Sequence, residues 1–184
     1  PVITKPFISY NTIGKEEIDS VVKVMKTGVL SKYLGSWDPK YFYGGPKVQE
    51  FERKCEDYFQ VKHAVTVNSW TSGLTAAIGA IGIEPGDEVI VSPWTMTASA
   101  TAILHWNAIP VFADISPDTL CICPEDIKRK ITEKTKAIIG VNIYGHNADW
   151  NSINSIAKER GIKTIEDASQ SIGGIYKGKK SGTN

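Results

Sequence analysis

Between Lys15 and Met25 a set of apolar residues falls at positions 18, 21, 22 and 25, the spacing that draws one apolar stripe along an amphipathic helix. That helix is expected to end before Gly28. From Leu34 to Gly45 neither a helical nor a strand period holds, while Trp37, Tyr41, Phe42 and Tyr43 crowd together. A loop of that kind is a binding or contact element, or plain surface. From Pro46 the pattern changes. A helix with Pro46 in its first turn runs through Val48, Phe51, Cys55 and Phe59, followed by an apolar strand at Ala64–Val67. Helices are predicted at Thr71–Ile81, Thr97–Trp106, Pro124–Thr132 and Asp149–Arg160, and strands at Glu88–Val91, Pro110–Ala113, Ala137–Val141 and Lys163–Glu166. Strict alternation of short apolar strands with helices predicts an α/β sandwich of three layers, a mostly parallel central sheet covered on both faces. The run Lys177-Gly178-Lys179-Lys180 reads as a solvated hairpin or a contact for an anion, and no further helix precedes Asn184. The chain is therefore expected to be an N-terminal helix and aromatic loop (1–45) leading into an incomplete large domain (46–184).

Composition narrows the classes. With 41% hydrophobic and 22% charged residues among 184, the chain has the make-up of a globular domain. Lys and Arg total 21 against 20 Asp and Glu, so no net field gathers nucleic acid or anionic membrane, and neither is expected as a partner. No apolar run approaches the roughly 18 residues of a membrane span, and no basic-then-apolar leader is seen, which makes the cytoplasm the expected compartment. Cys121 and Cys123 are too closely spaced for a zinc knuckle, and with Cys55 they read as reduced thiols. His63, His105 and His146 lack ligand spacing, and no metal site is expected.

Ligands of open parallel sheets sit outside the carboxyl ends of the strands, so the residues leaving each strand carry the chemistry. After Val67 comes Asn68-Ser69-Trp70-Thr71-Ser72-Gly73, a polar turn opening a helix whose first amides are unpaired and can hold a phosphate; an ordinary N-cap by Ser69 or Thr71 explains the same residues. After Val91 comes Ser92-Pro93-Trp94-Thr95-Met96, where a ring or a thioether either covers a cofactor face or packs into the core. After Ile165 stand Glu166 and Asp167, then Gln170. A carboxylate at the end of a buried strand costs several kcal/mol without a cation or donors, and a protonated pyridinium nitrogen is such a partner; an N-cap for a following helix is the other reading. No G-x-G-x-x-G loop follows the first strand, which argues against a plain nucleotide-binding domain.

These edges, in this order, resemble the pyridoxal-phosphate sugar aminotransferase family of the DegT/DnrJ/EryC1/StrS type. The resemblance runs through Gly45 to Glu52, His63 to Leu74, Gly86 to Val91, Pro110 to Ile115, Tyr144 to Asp149 and Glu166 to Gly173. It implies the large domain of a fold type I transferase, with pyridoxal 5'-phosphate (PLP) as cofactor and a homodimer as the assembly. The amides of Trp70 and Thr71 would hold the cofactor phosphate, Asp167 the pyridine nitrogen and Gln170 the phenolic oxygen. Met96 stands where the family usually has an aromatic on the ring face, so either Met96 or Trp94 covers it. Trp70 and Asn142 stand where Gly and His are common. The implied activity is transfer of an amino group from an amino-acid donor such as glutamate to a nucleotide-linked keto-sugar, in polysaccharide or antibiotic sugar biosynthesis. The alternatives are a sugar dehydratase of the same family, in which a His replaces the catalytic Lys, or a non-catalytic PLP-binding regulator. The resemblance places that Lys past Asn184, and no catalytic residue is assigned within the chain.

Overall fold

The computed structural model describes residues 10–33, 35–39 and 42–184, and the chain divides into two compact units with the boundary between Lys54 and Cys55. In the first unit, α1 (Lys15–Lys26) starts where the Glu17 carboxylate reaches back to accept from the Gly14 N–H at 2.7 Å. That bond holds the Glu17 carboxyl below its usual range. Acids in the first turn and Lys23 and Lys26 in the last match the helix dipole. The expected apolar stripe is present, and Ile18, Val21, Val22 and Met25 all remain exposed. Helix α2 (Pro46–Phe59) begins with the expected proline and crosses the boundary. Leu34, Lys40 and Tyr41 of the aromatic loop lie outside the described residues; within the loop Phe42 and Tyr43 meet edge to face at 5.2 Å.

The second unit is built on four parallel strands, β1 (Glu88–Val91), β2 (Ile109–Phe112), β3 (Thr135–Val141) and β4 (Lys163–Asp167), in the order β2-β1-β3-β4. Val89, Ile90 and Val91 of β1 and Ala137, Ile138 and Ile139 of β3 are fully buried, because the central strands are covered on both faces. Helices α3 (Trp70–Ala80), α4 (Thr97–Leu104), α5 (Pro124–Lys130) and α6 (Trp150–Arg160) supply the cover. The chain steps from β1 to β2 in one direction, then from β2 over to β3 and on to β4 in the other. Since parallel crossovers are right-handed, that reversal puts α4 on one face and α5 and α6 on the opposite one. Helix α3 packs on α4, and α6 on β3, β4 and α5.

Helix ends and helix contacts have local causes at several points. In α6, Asp149 accepts from the Ser152 amide at 3.3 Å and hydroxyl at 2.7 Å, and Gly161 closes the helix at φ 67° in the left-handed region. Trp106, just past α4, donates from Nε1 to the Thr75 carbonyl at 2.8 Å, and its ring lies against Gly79 of α3, where a Cβ would come within 2.0 Å of it. Glycine is what lets α3 and the end of α4 approach so closely. A two-residue hairpin, β5 (Ile175–Tyr176) with β6 (Lys179–Lys180), carries the basic run, and Lys180 stacks on the Tyr58 ring at 3.7 Å.

One expected strand is missing. Ala64–Val67 joins no strand ladder among the described residues; the Ala64 N–H is taken by the Glu56 carboxylate at 3.1 Å, and Val65 is 81% exposed. An apolar alternating stretch becomes a strand only when a neighbouring backbone offers partners. The remaining differences are shifts of one to two residues at element ends. Among them, the predicted Pro110–Ala113 strand forms at Ile109–Phe112, and the predicted helix to Trp106 stops at Leu104.

Candidate functional site

The crevice of an open parallel sheet forms where neighbouring strands send their following loops to opposite faces. In this sheet that happens between β1, whose loop leads to α4, and β3, whose loop leads to α6. Helix α3 reaches the same edge by its start. Its last residue feeds the short link to the amino end of β1, so its 11 residues, about 16 Å of helix, run back antiparallel to the strand.

At that start the N-cap reading is met. Ser69 is the N-cap, its Oγ accepting from the Ser72 N–H at 3.2 Å. A cap of this geometry satisfies a later amide and leaves those of Trp70 and Thr71, the first two helical residues, directed outward at the positive end of the helix. The Trp70 ring, 41% exposed, folds over Gly73, where a Cβ would stand 2.7 Å from it.

In the loop leaving β1, Trp94 is 49% and Met96 68% exposed, which removes the core-packing reading of both. The loop itself is held: Ser92, buried, accepts from the Trp94 amide at 3.1 Å, and Thr95 and Ser99 share a hydroxyl bond at 3.2 Å. Two apolar side chains are therefore presented on a fixed turn.

Asp167 ends β4, paired with Val141 of β3, and is 4% exposed. Its Oδ1 accepts from the Ser169 N–H at 3.1 Å. The bond closes a turn instead of capping a helix, since no helix follows; that correction leaves the second oxygen as the group able to meet a cation. Gln170 Oε1 accepts from the Tyr144 N–H at 2.6 Å. Because a backbone N–H faces it, that atom is the oxygen, and Nε2 is left as a donor. Of the expected residues, the fold brings Trp94, Met96, Asp167 and Gln170 to the carboxyl edge of the sheet, with Trp70 and Thr71 at the helix start above it.

A residue whose role the sequence reading did not reach lies between them. Asn142, directly after β3, is 0% exposed and bonds with both ends of its amide. Nδ2 donates toward Glu166 Oε1 at 2.8 Å, Ser171 Oγ at 3.1 Å and Asn147 Oδ1 at 3.2 Å. Oδ1 accepts from the Ala148 amide at 3.0 Å and the Trp150 indole at 2.9 Å. The available signals were an Asn placed directly after five apolar-or-glycine residues and its standing where the resembled family commonly has His.

A family model described as the DegT/DnrJ/EryC1/StrS aminotransferase family matches residues 11–184. The chain belongs to this family. Among its relatives, the spore coat polysaccharide biosynthesis protein SpsC of Bacillus subtilis is 40% identical over 179 residues, 96% of this chain and 43% of SpsC. A UDP-2-acetamido-2-deoxy-3-oxo-D-glucuronate aminotransferase of Pseudomonas aeruginosa is 42% identical over 137 residues, covering 74% of this chain and 38% of the relative. Among solved structures, NtdA from Bacillus subtilis with bound cofactor PMP superposes with a TM-score of 0.78 at 31% identity, over 89% of this chain and 36% of NtdA. The chain thus spans about two fifths of the length of the curated relatives it matches. Its parallel sheet is that of the fold type I large domain, as the sequence led one to expect.

Proposed function

We propose that this chain is the cofactor-holding part of a PLP-dependent aminotransferase that moves an amino group from an amino-acid donor such as glutamate to a nucleotide-linked keto-sugar. The observation that carries the reading is Asp167: a carboxylate 4% exposed at the end of a buried parallel strand, with Oδ1 engaged by a turn. The residues around it fit a phosphorylated pyridine. The amides of Trp70 and Thr71 would take the phosphate, the free Nε2 of Gln170 would donate to the phenolic oxygen, and Trp94 or Met96 would lie on the ring face. When bound, the cofactor supplies an electron sink for bonds at the donor's Cα. Asp167 would keep a proton on the ring nitrogen, which is what maintains that sink, and the charge pair would offset the cost of burying the carboxylate. Trp94 and Met96 would exclude water from one face, and the α3 terminus would fix the ring by its phosphate end.

The nucleotide-sugar acceptor is supported by the relative named for a UDP-linked 3-oxo-sugar and by the relative named for coat polysaccharide biosynthesis. A homodimer is part of the proposal, with the exposed Trp37 and Tyr43 of the aromatic loop as contact residues. The test is the visible absorption of the whole protein titrated with PLP, then mixed with excess glutamate. A bound-cofactor band that glutamate converts to the aminated cofactor's band, and that Asp167→Ala abolishes, supports the transferase. A band that glutamate leaves unchanged points to dehydratase or binding-only behaviour, and absence of PLP binding overturns the reading.

A further inference from the structure

We propose that Asn142 is a positioning residue that aims Asp167 and Gln170 at the cofactor, an inference that rests on the PLP-binding reading above. Two loops meet at the crevice, 142–148 after β3, whose regular structure is a single 3-10 turn at Ile143–Gly145, and 168–171 directly after Asp167 at the end of β4. They are tied at three levels. The Asn142 N–H donates to the Asp167 carbonyl at 3.0 Å, continuing the β3–β4 ladder one residue past its end. The Asn142 side chain reaches Glu166, next to Asp167, at 2.8 Å and Ser171, next to Gln170, at 3.1 Å. The Tyr144 N–H holds the Gln170 amide at 2.6 Å.

The third tie depends on backbone conformation. Tyr144 sits at φ 53° and ψ 23°, in the left-handed region where a residue with a side chain is disfavoured, and Gly145 follows at φ 82°. This strained turn points the Tyr144 amide at Gln170, and Asn142 anchors both of its ends by accepting from the Ala148 amide and holding the Asp167 carbonyl. The anchor has a single orientation. Two N–H donors face Oδ1, while an acceptor-only carboxylate faces Nδ2, so a flipped amide would oppose like groups on both sides. Through Tyr144 the anchor leaves Gln170 Nε2 as donor, and through Glu166 and Ser171 it fixes both flanks of the turn that carries Asp167.

The Ser171 bond can be removed without orphaning a buried group. Asn142 Nδ2 has two hydrogens and three acceptors, so in Ser171→Ala both hydrogens keep a partner, Glu166 and Asn147. Asn142→Asp is the stronger perturbation, since it sets a second carboxylate oxygen against Glu166. Both variants would be made in the whole protein and compared with the parent by equilibrium PLP binding, by the pH profile of the bound cofactor's absorption, and by thermal unfolding of the apo form. Ser171→Ala is expected to unfold with the parent's transition, to bind PLP about tenfold more weakly, as loss of a supporting hydrogen bond typically does, and to move the pH profile. Asn142→Asp is expected to do the same more strongly. Variants whose PLP affinity and pH profile match the parent, whether or not their unfolding transition drops, overturn the positioning role while leaving the cofactor site intact. If Asn142→Asp does not fold, Ser171→Ala decides between these outcomes. A parent protein that binds no PLP overturns the site reading and this inference together.

Discussion

Gly140→Ala is the sharpest test of how the crevice is supported. Gly140 lies in β3, paired with Glu166 of β4, and its missing side chain is where the Trp150 ring lies. A Cβ there would stand 2.5 Å from Cη2 and 2.9 Å from Cζ2 of that ring. Ordinary carbon contacts are about 3.5–4.0 Å, so the overlap is roughly 1 Å. The ring has no room to retreat, being 1% exposed with its Nε1 bonded to Asn142 at 2.9 Å. Overpacking costs about 1–3 kcal/mol, and displacing the indole far enough to break its bond adds about 1–3 kcal/mol for the unsatisfied buried groups. Reduced freedom of the unfolded chain offsets about 0.5–1 kcal/mol, leaving a net loss of about 1–5 kcal/mol. Urea unfolding of the whole protein reads this as a lower midpoint at unchanged slope. Trp150→Phe shortens the ring, so in a double-mutant cycle it should relieve at least about 1 kcal/mol of the penalty. A Gly140→Ala protein within about 0.5 kcal/mol of the parent, or a cycle with no coupling, would refute the packing argument.

Two further perturbations address the ends of the elements. Ser69→Ala removes the cap of α3 and should cost about 1 kcal/mol in urea unfolding; an unchanged midpoint would mean the Ser72 amide finds another acceptor. Asp126 is buried, and its carboxyl is held below the usual range first by the Asp114 N–H at 2.6 Å and then by Arg129 at 2.7 Å. With the folded value below the unfolded one, its contribution is fully present above the ordinary Asp range and is lost as pH falls through the folded value. Asp126→Asn should therefore be less stable than the parent at neutral pH, with the gap closing on acidification; a gap independent of pH would contradict the assignment.

Much of this architecture is local in origin. The alternation of apolar strands and helices placed β1 at its observed residues and the others within a residue or two, because burial on both faces of a parallel sheet demands runs such as Val89-Ile90-Val91 and Ile138-Ile139. Asp167 could be picked out for a similar reason: a carboxylate at the end of such a run needs a partner wherever the chain folds. Ala64–Val67 has the same apolar pattern but forms no ladder, since pairing depends on another backbone and not on its own residues.

The sequence by itself determined the class of fold, the order of its elements and the edges where chemistry could sit, all of which follow from periodicity and from the cost of burying charge. The tertiary structure alone decided how those edges are joined. Asn142 meets partners 24 and 29 residues away, and the oxygen of Gln170 is turned by an amide 26 residues earlier in the chain. Such contacts depend on which strands become neighbours and how their loops turn, and no short-range pattern encodes either. Exposure worked the same way at Trp94 and Met96, whose local sequence suits a core as well as a cofactor face; the path of the loop after β1 turned both outward.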